Sequence, residues 1–239
     1  MSASKRDRER AAQRRREQKR QAALDARAAQ RRRTWAFVAI GAVLLLVGLG
    51  SWWLVSQDGD SDTDVPTSAP DPSTAESREW TGELTTSVGE IGVTLDGAAA
   101  PAAVANFVAL ADAGYFDGTD CHRLTTAGIW VLQCGDPTGT GTGGPGYSFG
   151  PIENAPADGI YPAGTIAMAR TAEPDSMGSQ FFIVYQDTEL PTDGGGYTVF
   201  GTVTSGLDAV QAVADEGTAD GASDGSPATP VTIEGVEIK

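Results

Sequence analysis

Histidine is all but missing from this chain of 239 residues: it has one, His122, beside two cysteines, Cys121 and Cys134. Three such side chains make neither a Cys-x2-Cys pair nor a histidine cluster, so metal chemistry is set aside and no cofactor is expected. A Ser-His-Asp arrangement would have to be built on His122, and no Gly-x-Ser-x-Gly elbow is present. The lone histidine reads instead as a structural hydrogen-bonding residue. Positive charge is equally scarce over most of the length. Residues 35–239 hold four bases (Arg78, Arg123, Arg170 and Lys239) against twenty-eight acids, a balance of −24. A body that acidic repels phosphate backbones, which excludes nucleic acid as a partner of the globular part. The run Gly139-Thr-Gly-Thr-Gly-Gly-Pro-Gly146 lacks the Gly-Lys-Ser/Thr ending of a phosphate loop, and no helical pattern follows it, so it reads as a turn segment.

The missing bases are gathered at the start. Residues 1–34 carry thirteen of the seventeen Lys and Arg against four acids, a balance of +9. This head has no apolar stripe; it reads as a topology determinant that also touches anionic lipid, with a ribosome or nucleic-acid contact as the alternative. Residues 35–55, from Trp35 to Val55, contain no charge. As a helix they reach roughly 31 Å, the thickness of a bilayer core. Trp35, Trp52 and Trp53 stand at the ends, Arg31–Arg33 precede and Asp58, Asp60, Asp62 and Asp64 follow. That asymmetry predicts a single-pass span with a cytoplasmic head and an outer tail. A cleaved signal peptide is the competing reading, but its apolar core is shorter and ends in a small-x-small site, where this chain has Ser51-Trp52-Trp53-Leu54. Residues 56–79 are acidic and rich in Pro and Ser, and read as a disordered linker.

Residues 80–239 read as one globular domain. Thr81–Thr86 and Glu90–Leu95 alternate as strands around a turn at Ser87-Val88-Gly89. Pro101 opens a helix through Leu110, with Val104, Phe107, Val108 and Ala111 at helical spacing and Gly114 after it. Cys121–Leu124 and Ile129–Gln133 form a second strand pair, followed by strands at Thr165–Arg170, Gln180–Val184 and Thr198–Val203. A helix over Leu207–Ala214 and a strand over Val231–Ile238 close the chain. Many strands and two separated helices, without a βαβ rhythm, predict a mainly β antiparallel barrel or sandwich. Cys121 and Cys134 flank a turn near Ala127-Gly128 and are either bonded across it, as an oxidising outer medium favours, or two buried free thiols. Arg123 sits inside an apolar strand, where a guanidinium needs either an acidic partner or a task.

The segments Val104-Ala-Asn-Phe-Val-Ala-Leu110, Gly114-Tyr-Phe-Asp-Gly-Thr119, Cys121-His-Arg-Leu124, Leu132-Gln-Cys-Gly-Asp136, Gly141-Thr-Gly-Gly144, Gly164-Thr-Ile-Ala-Met-Ala169, Gly178-Ser-Gln-Phe-Phe-Ile183 and Val199-Phe-Gly-Thr-Val203 resemble, in order, those of cyclophilins. The form they resemble is the membrane-anchored bacterial, actinobacterial-like one. The resemblance implies an eight-stranded antiparallel barrel capped by two helices and a peptidyl-prolyl cis-trans isomerase activity. It implies Arg123 as the catalytic residue and Gln133 as its neighbour on the peptide backbone. Phe182 matches the floor of the proline pocket, and Trp130 and Val131 fall where the family has Phe and Met. Ala169 matches a substrate-contacting alanine, Arg170 stands for an Asn that offers its backbone, Leu190 lies in the pocket loop and Tyr197 replaces a pocket His. Relative to the family pattern, two extra residues lie between Arg123 and Gln133. The implied partners are proline-containing polypeptides, with the bilayer held through residues 35–55. A non-catalytic module of the cell envelope that holds proline segments is the alternative.

Overall fold

The computed structural model describes residues 65–239. The basic head, the apolar segment 35–55 and the first part of the linker lie outside the described residues. No described helix is long and apolar enough to cross a membrane.

The part of the linker nearest the domain is packed, not free. Pro72–Ala75 form a 3-10 turn whose N-cap, Asp71, accepts a hydrogen bond from Ser73 N at 2.9 Å. Ala75 is fully buried, and its carbonyl accepts the Trp80 indole N–H at 2.9 Å. An acidic, Pro-rich composition hides this anchor because a single small apolar residue carries the burial.

Two long strands follow, β1 (Glu79–Thr86) and β2 (Gly89–Asp96), and then a helix, α1 (Pro101–Asp112). Proline starts the helix, and the carboxylate of Glu153 accepts from Ala102 N and Ala103 N at 3.0 and 3.1 Å, satisfying two of the free N–H groups there. At the other end Gly114 takes a positive φ of 64° and Tyr115 N closes onto Leu110 O at 3.0 Å. Short strands β3 (Thr119–Asp120), β4 (Arg123–Thr125) and β5 (Val131–Cys134) come next, then β6 (Ile160–Tyr161), β7 (Thr165–Met168), β8 (Phe181–Val184), β9 (Thr188–Glu189) and β10 (Val199–Ser205). A second helix, α2 (Leu207–Glu216), buries Val210 and Val213, and β11 (Asp224–Gly225) and β12 (Thr232–Ile238) end the chain.

All pairings are antiparallel. One curled sheet runs β11-β4-β5-β8-β7-β10-β2-β1-β12-β3, and β6 pairs with β9 separately. Within it, eight strands of three residues or more form the body, and the two-residue strands β11 and β3 extend its edges. Among the described residues the fold is therefore mainly β: a curled half-barrel with two α-helices. The main core lies between α1 and the sheet, where Phe107 meets Phe116, Phe181 and Phe200 with ring centroids 4.9, 5.3 and 5.3 Å apart. A smaller apolar cluster occupies the other face: Val131, Tyr161, Ala167, Phe182, Val184 and Leu190.

Candidate active site

Strand alternation decides which side chains face this second cluster. Along β5, Val131 and Gln133 point to it while Leu132 and Cys134 join the main core. The same rule extends one step back. Ile129 lines the cleft, and Trp130 packs against the main core, edge-on to Tyr185 at 6.4 Å. This corrects the sequence expectation for Trp130, in which the two extra residues before Gln133 obscured the register.

The cleft holds about 160 Å³ and is lined by Arg123, Ile129, Val131, Gln133, Ala169, Arg170, Phe182, Leu190 and Tyr197. Arg123 on β4 is the register partner of Gln133 on β5, and its Nη1 donates to Gln133 Oε1 at 3.1 Å. Gln133 Nε2 donates onward to Gln180 Oε1 at 2.8 Å, and Gln180 Nε2 reaches the carbonyls of Gly141 and Gly143 at 3.0 and 2.9 Å. The Gly-rich turn is itself wound around Asp136. That buried carboxylate accepts from Thr138 N, Thr140 N, Gly141 N and Gly143 N at 2.7, 3.1, 2.6 and 3.1 Å. Burial alone would push its acidity down, but these donors and the Thr138 hydroxyl outweigh it and bring the pKa to about 2.

The guanidinium of Arg123 is also in a fork with a carboxylate. Nε and Nη2 donate to Oδ1 and Oδ2 of Asp224, each at 2.8 Å. Hydrogen bonding to Asp224 raises the arginine pKa, and the same contact lowers that of Asp224. Arg123 thus has the acidic partner that a strand guanidinium needs, and it still lines the cleft.

Opposite stands Arg170, whose side chain serves as a latch. It donates to the carbonyls of Gly196, Asp193 and Thr171 at 2.7, 2.9 and 2.8 Å, and lies 5.0 Å from the Tyr197 ring. The Tyr161 hydroxyl accepts from Tyr197 N at 2.8 Å and donates to Tyr197 O at 3.2 Å. Held from both sides, Tyr197 meets Phe182 edge-on at 5.6 Å. Leu190 enters the cleft from the end of β9, where its N–H bonds Gly159 O at 2.9 Å.

Cys121 and Cys134 are joined in a disulfide. It ties the residues just before His122-Arg123 to the one after Gln133. His122 departs from the sequence expectation: both ring nitrogens are buried without a hydrogen-bond partner among the described residues, and burial lowers the pKa. Its ring packs beside Gly141 instead, where an added Cβ would lie 3.6 Å from Cδ2.

Ile129, Gln180, Asp136 and Asp224 are the site residues that sequence reasoning missed. Gln180 lies within the Gly-Ser-Gln-Phe-Phe segment, and Ile129 follows from alternation. Asp224 is 101 residues from Arg123 and has no local pattern to mark it.

Known proteins share this architecture. A probable peptidyl-prolyl cis-trans isomerase B of Mycobacterium tuberculosis is 48% identical over 167 residues, covering 64% of this chain and 52% of the relative. The protein of the same name from Mycobacterium leprae is 44% identical over 186 residues, covering 73% and 59%. The chain thus spans little more than half the length of these curated relatives. A crystal structure of a Cryptosporidium parvum cyclophilin-type isomerase superposes with a TM-score of 0.58 at 29% identity, covering 68% of this chain and 98% of that one. A second structure of that protein was obtained in the presence of the dipeptide Ala-Pro. The family model described as cyclophilin type peptidyl-prolyl cis-trans isomerase/CLD matches residues 81–238, and the chain belongs to that family.

Proposed function

We propose that the chain is a peptidyl-prolyl cis-trans isomerase acting on proline-containing polypeptides. The observation that carries this reading is a cross-strand pair, Arg123 and Gln133, at the edge of an apolar cleft built from Val131, Phe182, Leu190 and Tyr197. An apolar wall of that size accepts a pyrrolidine ring. The barrier to rotation comes from amide resonance, about 18–20 kcal/mol. In the twisted transition state the prolyl nitrogen regains a lone pair, which a guanidinium N–H can bond far better than in either planar isomer. That difference in binding is what accelerates the step. Phe182, Ile129, Leu190 and Tyr197 hold the ring while the preceding residue turns, with Ala169 and the backbone of Arg170 beside it.

In the full chain, Arg123→Ala lowers turnover of an Xaa-Pro peptide at least roughly tenfold, a loss of about 1.4 kcal/mol of transition-state binding. The test is a protease-coupled or exchange-NMR assay alongside thermal unfolding. Wild-type rates in a folded Arg123→Ala protein overturn the assigned role.

The reading extends to location. An uncharged segment at 35–55 between a basic head and an acidic linker supports a membrane-anchored, bacterial form with its domain on the outer side. A disulfide in the domain suits an oxidising compartment. Protease accessibility of residues 80–239 on intact cells tests it. The second reading, a module that holds proline segments without catalysis, applies if the fork of Asp224 on the Arg123 guanidinium withholds it from the prolyl nitrogen. Peptide binding without rate enhancement would select it.

A further inference from the structure

We infer that Asp224 is a positioning residue for the isomerase reaction: it grips one edge of the Arg123 guanidinium and so aims the remaining arm into the cleft. The inference rests on the isomerase reading above and names the group that makes its arginine competent.

A guanidinium has a flat fork of donors on each edge. Asp224 takes the Nε and Nη2 edge with both carboxylate oxygens at 2.8 Å. A planar two-point fork fixes both the plane and the rotation of the group, where a single contact fixes neither. What is left is the Nη1/Nη2 end of the group, two hydrogens on Nη1 and one on Nη2, and Nη1 bonds Gln133 Oε1 at 3.1 Å, on a residue that lines the cleft with Arg123. The long side chain is therefore held on the side away from the cleft and directed toward it.

The pair does little for the fold. The side chains of Arg123 and Asp224 keep 38% and 54% of their surface exposed, and solvent screening limits what even a two-point pair so open to water adds to stability. Yet the chain builds a dedicated ribbon to present Asp224. β11 pairs with β4 so that Asp224 and Gly225 oppose Thr125 and Leu124. Thr126 N bonds Ser223 O at 2.9 Å, and the Ser226 hydroxyl reaches His122 O at 3.2 Å. Behind it the turn is closed by Ala219 N on Ser226 O at 2.9 Å and Ala222 N on Asp220 Oδ1 at 3.0 Å. The carboxylate is thus delivered by backbone pairing to the very strand that carries Arg123. A rigid mount for a pair of small energetic value is what orientation requires.

The fork has an opposite reading, a lock that substrate must break, and the two differ in sign. The test uses the full chain with Asp224→Ala, Asp224→Asn, Arg123→Ala and the Asp224/Arg123 double alanine variant. Asp224→Ala lowers kcat roughly tenfold with KM little changed, as loss of orientation does. Asp224→Asn, which keeps one carbonyl acceptor, loses less. In the Arg123→Ala background the Asp224→Ala change has no further effect, because the two act as one unit. An NMR readout needs no turnover: the Arg123 Nε–H exchanges slowly with water in the wild type and at least about tenfold faster in Asp224→Ala, as a freed surface donor does. Four results overturn the inference: unchanged turnover in Asp224→Ala, a raised rate, an equal loss in the Arg123→Ala background, or Nε–H exchange indifferent to Asp224. A wild-type chain without turnover overturns the isomerase reading instead, and the grip is then judged on Nε–H exchange alone.

Discussion

Strands β5, β8 and β7 present two apolar faces that meet different fates. Toward the main core they send Leu132, Cys134, Phe181, Ile183, Ile166 and Met168; toward the other side they send Val131, Phe182, Val184 and Ala167. The core face is covered by α1, whose Phe107 stands edge-on to Phe181 at 5.3 Å. The other face is covered by Tyr161 of the short strand β6 and by the loop residues Leu190 and Tyr197, and they leave a cleft of about 160 Å³. A helix lays a continuous apolar stripe on a sheet and closes it. Separate loops, each held by its own hydrogen bonds, cover a sheet only where they touch it. The same alternating sequence thus makes a filled core on one side and a binding surface on the other.

Adjacent phenylalanines offer the sharpest way to break that contrast. Phe181→Ala empties a closed space against Phe107 and Phe116 and costs about 3–5 kcal/mol of stability. Phe182→Ala opens into a cleft that solvent already reaches, so its stability cost falls below that range, while kcat/KM drops at least roughly tenfold through loss of the ring's floor. Urea denaturation and the Xaa-Pro assay on both variants decide it. Equal destabilisation, with turnover intact in Phe182→Ala, would erase the distinction between the faces.

Acid attacks the cleft side first. The folded pKa of Asp136, about 2, lies below the ordinary value near 3.8, so its contribution to stability is complete above about pH 4. It is lost as pH falls toward 2. Asp224 and Asp220 are shifted in the same direction, but both are open to water, so they add little to this decline. Since Asp136 holds the turn whose carbonyls receive Gln180, its protonation loosens the Gln180–Gln133–Arg123 chain before the aromatic core. Asp136→Asn lowers stability at neutral pH by about 1–3 kcal/mol, the cost of a broken buried network. It also flattens the decline between pH 4 and 2, read as urea midpoints at pH 6 and pH 3. An unaltered acid decline in the variant would place the sensitivity elsewhere.

Most of the fold was legible because period-two alternation and the proline- and glycine-bounded helix are local signals. Both helices and the major strands stand where periodicity puts them, with β4 and β5 shifted by one or two residues. The cleft residues Arg123, Gln133, Phe182, Leu190 and Tyr197 were reachable through ordered segments resembling a known family. What stayed hidden is non-local. Ala75 joins the core from an acidic linker, Glu153 caps α1 from about fifty residues away, and Asp224 crosses 101 residues to reach Arg123. With twenty-eight acids in residues 35–239, charge alone cannot say which one pairs with a given arginine.

The smallest effect separates two neighbours. Ile129 lines the cleft and Trp130 turns to the core beside Tyr185, so the faces predict opposite signatures for gentle changes. Ile129→Ala removes apolar atoms from the ring-binding wall and raises KM roughly tenfold, the low end of what a methylene commands in an apolar pocket. Its thermal midpoint moves little, because the removed atoms face a space that is already open. Trp130→Phe leaves KM and kcat unchanged and lowers the midpoint slightly, since the smaller ring packs less surface against Tyr185. Steady-state kinetics and thermal unfolding of the two single variants read both signatures. If Trp130→Phe shifts KM while Ile129→Ala does not, the register of β5 is displaced by one residue, and every assignment of its side chains to core or cleft reverses with it.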